Sequence, residues 1–315
     1  MIIKQIMEVY ELVDTATASG NDLKKYLESY GAKNVVVKTI TGDKGKTDFI
    51  RVAIPGKNGR SKGGSAPTLG VLGRLGGIGA RPERIGMVSD GDGALVALAV
   101  AAKLLDMQNK GDHLDGDVVV STHICPDAPT QPHKPVAFMD SPVDMATVNQ
   151  EEVNGDLDAI LSVDTTKGNR VINHCGFAIS PTVKEGYILK VSDQLLDIMQ
   201  TTTGKFPVVF PLSIQDITPY GNGVYHLNSI LQPATATKAP VVGIAITTES
   251  AVPGCATGAS NPFDLEQAGR FVLEVAKEFG RHNCNFYDEA EFGHLLELYG
   301  ELHQFQTLGR SLVRA

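Results

Sequence analysis

Eight side chains with chemical potential follow short apolar runs: Arg74, Asp90, Asp92, His123, Cys125, Asp127, Asp164 and Glu249. Carboxylates and an imidazole gathered on one rim can hold a divalent cation, zinc or manganese. Asp90, Asp164 and His123 are the candidate ligands of one such ion, which would activate water with Asp127 or Glu249 as base. Arg74 points to different chemistry. Its planar guanidinium suits a carboxylate or phosphate, with Asp92 and Lys167 as further substrate contacts. A third chemistry pairs Cys125 with His123: residues two apart on a strand share a face, and a thiol of lowered pKa is a nucleophile.

Each residue also has a structural explanation. Asp90 lies in SDGDG, where an aspartate caps a helix. Asp164 can pair with Lys167, His123 can be a satisfied core histidine, and Cys125 an inert buried thiol.

Strands and helices must position these residues. Apolar spacing predicts helices over 2–14 and from a Ser19 or Asn21 cap to Tyr30. Strands are expected at 35–37, 49–54, 68–72, 85–88, 118–121, 159–163 and 240–246. A helix over 94–107, apolar nearly all round, belongs against a sheet. Asn261-Pro262 opens a helix to Gly280, and a last helical segment covers 288–308. Between them lies a proline-rich loop, 126–144, expected to cover the strand ends. The run GKNGRSKGG, from Gly56 to Gly64, reads as a mobile surface turn or as an anion contact through Lys57, Arg60 and Lys62. This alternation implies a three-layer α/β fold: one mostly parallel or mixed sheet with helices on both faces, in a single domain over 1–315 with a C-terminal helical extension over 281–315. Ligands of such sheets bind beyond the carboxyl ends of the strands.

Composition narrows the partners. The 315 residues are 42% hydrophobic and 20% charged, with a net charge of −8. That is ordinary for a globular chain and gives no reason to expect nucleic acid. No apolar run is long enough to span a membrane and no signal peptide is read at the start, so the expected location is cytoplasmic. The four cysteines, Cys125, Cys175, Cys255 and Cys284, form no CxxC pair and are expected as free thiols. Glycines 73–79 depart from GxGxxG, which excludes a dinucleotide fingerprint.

Several segments together resemble the co-catalytic zinc exopeptidases of metallopeptidase clan MH. SDGDGALVALAVAAKLLD is similar to the segment supplying their bridging aspartate, here Asp90. AILSVDTT is similar to the strand supplying a later ligand, here Asp164. VVGIAITTESAVPG resembles the strand and loop with their last histidine. LGVLGRLGGIG resembles the strand with their first ligand histidine, but Arg74 stands in that place. VVVSTHICPDA carries Cys125-Pro126 where they have a glutamate pair, and the last histidine falls near Gly254-Cys255. At full length the chain resembles an uncharacterised bacterial and archaeal family, the domain of unknown function numbered 1177. The resemblance implies a zinc-exopeptidase-like (phosphorylase/hydrolase-like) core and a homo-oligomer. It also implies either a hydrolase of small amide or peptide-like substrates at a rebuilt site, or a non-catalytic binder of a small-molecule or peptide-like ligand with Arg74 as its anion contact.

Overall fold

A computed structural model of the chain describes all residues except 75, 80–85, 133, 135, 136, 154, 167, 220, 221, 225–228, 251–258 and 308–315. Its centre is four parallel strands, β3 (Leu69–Gly73), β4 (Val118–Ile124), β7 (Ala159–Thr165) and β11 (Val241–Thr247). The hairpin of β1 (Val35–Gly42) and β2 (Gly45–Ile54) adds to β4 antiparallel. On the far side, β8 (Gly176–Ile179) and β9 (Val183–Lys184) pair antiparallel with β11, and β10 (Tyr187–Ile188) follows β9. Among the described residues this makes one open mixed sheet of nine strands, ordered β1-β2-β4-β3-β7-β11-β9-β10 with β8 also on β11. Every residue of β3, β4 and β11 is buried, which is why these strands read as unbroken apolar runs rather than alternating ones.

The two faces are covered differently. One packs on α1 (Ile3–Val13), α3 (Asp92–Asn109) and α6 (Pro262–Gly280), with α2 (Gly20–Ser29) and α5 (Asp193–Thr203) beside them. Local chemistry sets the helix starts. Ser19 accepts from the Asp22 N–H, and Asn261 accepts from the Phe263 N–H with Pro262 in the first turn. α3 lies between the sheet and α1 and α6, so it is buried nearly all round, with Lys103, Asp106, Gln108 and Asn109 left nearer the surface towards its end. Its approach needs Gly93, where a Cβ would stand 2.4 Å from the Val163 carbonyl oxygen.

The opposite face departs from the expected helical layer. α4 (Met145–Glu152), 3-10 turns at Ile214–Ile217 and Gln232–Ala236 and irregular chain cover it among the described residues. Asp144, at the end of the proline-rich loop, caps α4 by accepting from the Thr147 N–H. Residues 86–88 form no strand; Gly86 has φ +103, and the Val88 N–H bonds Ile78 O in a turn-like connection. The last long helix, α7 (Glu289–Tyr299), stops at Gly300 (φ +74) instead of continuing to 308. Within the loop a small hairpin forms from β5 (Thr130–Gln131) and β6 (Phe138–Met139).

The glycine-rich run at 56–64 is a built turn. Buried Asp117 accepts from the N–H groups of Gly56 and Ser61 and from the Ser61 hydroxyl, each at 2.8 Å. Arg60 is ion-paired with Asp158, and Lys57 with Asp115 at 3.0 Å, so those two charges meet neighbouring acids at the surface. Asp117→Ala strands three donors at once. It should cost about 2–4 kcal/mol in urea denaturation and expose 56–64 to limited proteolysis.

Candidate functional site

At the carboxyl edge of the parallel strands the register builds one row. Gly73 pairs with both Thr122 and Val163, so the next residue, Arg74, stands between His123 on β4 and Asp164 on β7. The Arg74 N–H continues the ladder to Val163 O at 2.8 Å. Asp164 in turn pairs with Ala245 on β11. Alternation puts Leu72, Ile160 and Ala245 in the cluster that includes Val153 at the end of α4. Arg74, His123 and Asp164 therefore point to the α4 face.

Arg74 is the largest fully buried side chain. Its Nη1 donates to Glu152 Oε2 on α4, and neither side chain is exposed. Burial pushes the Glu152 carboxyl up to about 7, with the Asp164 charge adding to that push and Arg74 opposing it. Arg74 Nε and Nη2, Glu152 Oε1, Asn149 Oδ1, Ser121 Oγ and Ser162 Oγ are buried and find no hydrogen-bond partner among the described residues. Asp164 accepts from the Thr165 N–H at 2.7 Å and from the Ser229 hydroxyl at 2.9 Å.

His123 is committed on both nitrogens. The Gly76 N–H donates to Nε2 at 3.1 Å, which places the ring proton on Nδ1, 2.9 Å from Thr47 Oγ1. The Thr47 hydroxyl passes its own proton to Ile124 O at 3.0 Å. Burial, helped by the Arg74 charge, lowers the imidazole to about 3, so it is neutral. The close Gly76 contact depends on glycine: a Cβ there would lie 1.4 Å from His123 O.

The other expected residues scatter around this row. Asp90 lies in the 3-10 turn Ser89–Gly91 at the head of α3, and its Oδ2 would stand 3.6 Å from a Cβ on Gly77. Asp92, in the first turn of α3, accepts from the Ser260 hydroxyl. Cys125 is buried with Val88, Ala128 and Met139, its Sγ 3.4 Å from Lys46 O. It makes no bond to His123, whose nitrogens are engaged elsewhere, so the Cys125–His123 thiol pairing has no geometry to support it. Asp127 and Glu249 are exposed, unlike the buried row. Lys167, and the Gly254-Cys255 region, lie outside the described residues. The loop 126–144 does cross the rim, since Met139 and Ala128 pack over Gly77; Lys134 faces solvent, and His133 lies outside the described residues.

Among the described residues no three His, Cys, Asp or Glu side chains are grouped to hold a metal ion. The charged element that sequence reasoning missed is Glu152. A fully apolar strand delivering an arginine demands a buried acid, and the Asp144-x-x-Thr147 cap announces a helix that could bring one. The large open cleft, about 1150 Å³, lies at the other edge, where Pro67, Leu157 and Pro240 begin their strands. It is remote from every residue in the row.

This fold and rim define an α/β protein with a mixed sheet and a sealed ionic site at the ends of its parallel strands. The chain belongs to the DUF1177 family, described as a protein of unknown function, whose profile matches residues 38–309. Among solved structures it is similar to LapA of Legionella pneumophila at 12% identity and a TM-score of 0.48, over 89% of this chain and 72% of that one. No curated protein matches the chain.

His123 makes a testable contribution to acid stability. Its folded pKa, about 3, lies below the ordinary 6.5, so its contribution is whole above about pH 6.5 and is lost as pH falls toward 3. The slope from this one group reaches about 1.4 kcal/mol per pH unit. Glu152 opposes it, because a raised carboxyl favours the folded state at low pH and loses that favour as pH rises through about 7. Denaturation of wild type and His123→Gln from pH 3 to 7 should show the variant's stability falling less steeply toward acid.

Proposed function

We propose that this protein binds a small anionic or peptide-like ligand, on a zinc-exopeptidase-like core that has exchanged its metal ions for an arginine. Three segments quoted for the resemblance support such a core. SDGDGALVALAV forms the turn and buried helix α3, AILSVDTT forms β7, and VVGIAIT forms β11. The carrying observation is Arg74: fully buried, aligned by register between His123 and Asp164, and holding two N–H directions unspent beyond its bond to Glu152. A guanidinium so placed attracts an anion and repels a cation.

The residues present do not fit the implied metal ion. His123 would have to surrender its Gly76 bond, or change tautomer and give up its Thr47 bond, to offer a lone pair, and the Arg74 charge stands between it and Asp164. Hydrolysis has less support, because Asp127 and Glu249, the candidate bases, are solvent-exposed. The binding role therefore fits the geometry better.

Elemental analysis of protein purified without chelator should find no stoichiometric zinc or manganese. In thermal melts, a saturating small carboxylate should raise Tm by roughly 5 °C at hundredfold excess over Kd. The double variant Arg74→Met/Glu152→Gln, which removes both partners and leaves neither charge alone, should lose that rise. One tightly bound metal ion per chain, or an unchanged rise in the double variant, would overturn the proposal.

A further inference from the structure

α4 is fastened to the sheet mainly by polar groups. Three of its eight residues are buried, Val148, Asn149 and Glu152, and two of those three are polar. Val148 packs with Phe49 and Val143 in a small cluster bordered by Ile40 and Met145, separate from the two larger cores. Val153, the C-cap residue, adds one apolar contact to the core on this face. α3 and α6, on the other face, bury chiefly apolar side chains.

The polar groups beneath α4 are only partly answered. Glu152 accepts from Arg74 through Oε2, while its Oε1 and the guanidinium's Nε and Nη2 have no partner among the described residues. The Asn149 amide reaches Thr235 Oγ1 through Nδ2 at a long 3.4 Å, and its Oδ1 has none. Ser121, two residues before His123 and so on the same face of β4, has an unpartnered Oγ. These five buried atoms have given up water and gained nothing in return. Lifting α4 restores water to all of them together. It also exposes Arg74 and Glu152 at once, so neither charge is left buried alone, the circumstance that makes breaking such a pair costly. What is surrendered is small: one buried valine in the helix, the ion pair, and the surface contact of Glu151 with Lys38. A joint lies just past the helix at Gly155, whose φ of +116 is open to glycine and closed to most residues.

We propose that α4 is a lid, which lifts from the sheet as one unit while the parallel strands stay folded, and so opens Arg74 to solvent. The motion follows from how α4 is fastened; only its purpose, admitting an anion to Arg74, rests on the binding role above.

Hydrogen exchange of the full chain in water and in low urea, read by mass spectrometry, tests the lid. The helical amides of 148–153 should be roughly a hundredfold or more less protected than those of β4 and β7, with one shared opening that grows with urea less steeply than global unfolding. Separate rates with no urea dependence, the signature of fraying from the helix ends, would overturn the lid, as would protection equal to that of the strands. Two variants read the cause. Asn149→Leu replaces an unanswered amide oxygen with an apolar group, and Ser121→Ala removes an unanswered hydroxyl from the sheet side. Each should hold the lid down and raise protection of 148–153 by about threefold or more; if Asn149→Leu does not fold, Ser121→Ala decides, and unchanged or lower protection there counts against the lid. Sodium acetate separates the lid from the binding role. A lifting α4 with no acetate-dependent rise in Tm keeps the lid and removes the anion role, whereas such a rise with α4 as protected as the strands removes the lid and keeps the anion role.

Discussion

The ion pair between Arg74 and Glu152 is the constraint around which this half of the molecule is arranged. A charge taken fully out of water costs several kcal/mol, and attraction to one partner returns that only with good geometry and further hydrogen bonds. Neither side chain is exposed, so neither can be moved or neutralised without consequence for the other. The pair clamps α4 to β3 across 78 residues of chain. Burial, helped by the Arg74 charge, keeps His123 neutral, and that neutrality is what allows the imidazole to accept from Gly76. Loop, helix and strand are coupled here by electrostatics as well as by apolar packing.

The two edges of the sheet differ in kind. The carboxyl edge is roofed by α4 and by Met139 and Ala128 of the proline-rich loop, and its polar atoms face inward. The amino edge is an open cleft where Lys190, Tyr287 and other residues meet solvent. Volume alone would direct attention to the second. The first holds the buried charge, the neutral histidine and the unspent donors, and it is the edge at which parallel strands converge their ends.

Much of this frame was legible in the sequence. β-Branched runs marked β4 and β7, Asn261-Pro262 marked the start of α6, and the apolar run from Ala94 marked a helix buried nearly all round. Strand-end placement also singled out Arg74, His123 and Asp164, which the structure aligns in one row. The rest was hidden for physical reasons. α4 is a single short stretch with little apolar periodicity behind five prolines, so it does not stand out. Glu152 acquires meaning only when tertiary structure sets it against an arginine far away in sequence. β9 and β10, two residues each, are defined by pairing with neighbours and leave no run of their own. His123 was open between ligand and core residue until the Gly76 and Thr47 bonds fixed its ring.

The place of β1 at the end of the sheet has a consequence for how the chain keeps company with its own copies. Its outer backbone faces no further strand among the described residues, and Val35, Val36 and Val37 begin it, with Val36 62% exposed. An unpaired, valine-rich margin is a template for edge-to-edge aggregation. Lys33 just before it and Lys38 within it, the latter anchored to Glu151, put positive charge along that margin. Two like-charged edges brought together repel before their amides can meet, so these lysines act as gatekeepers against fibrillar growth.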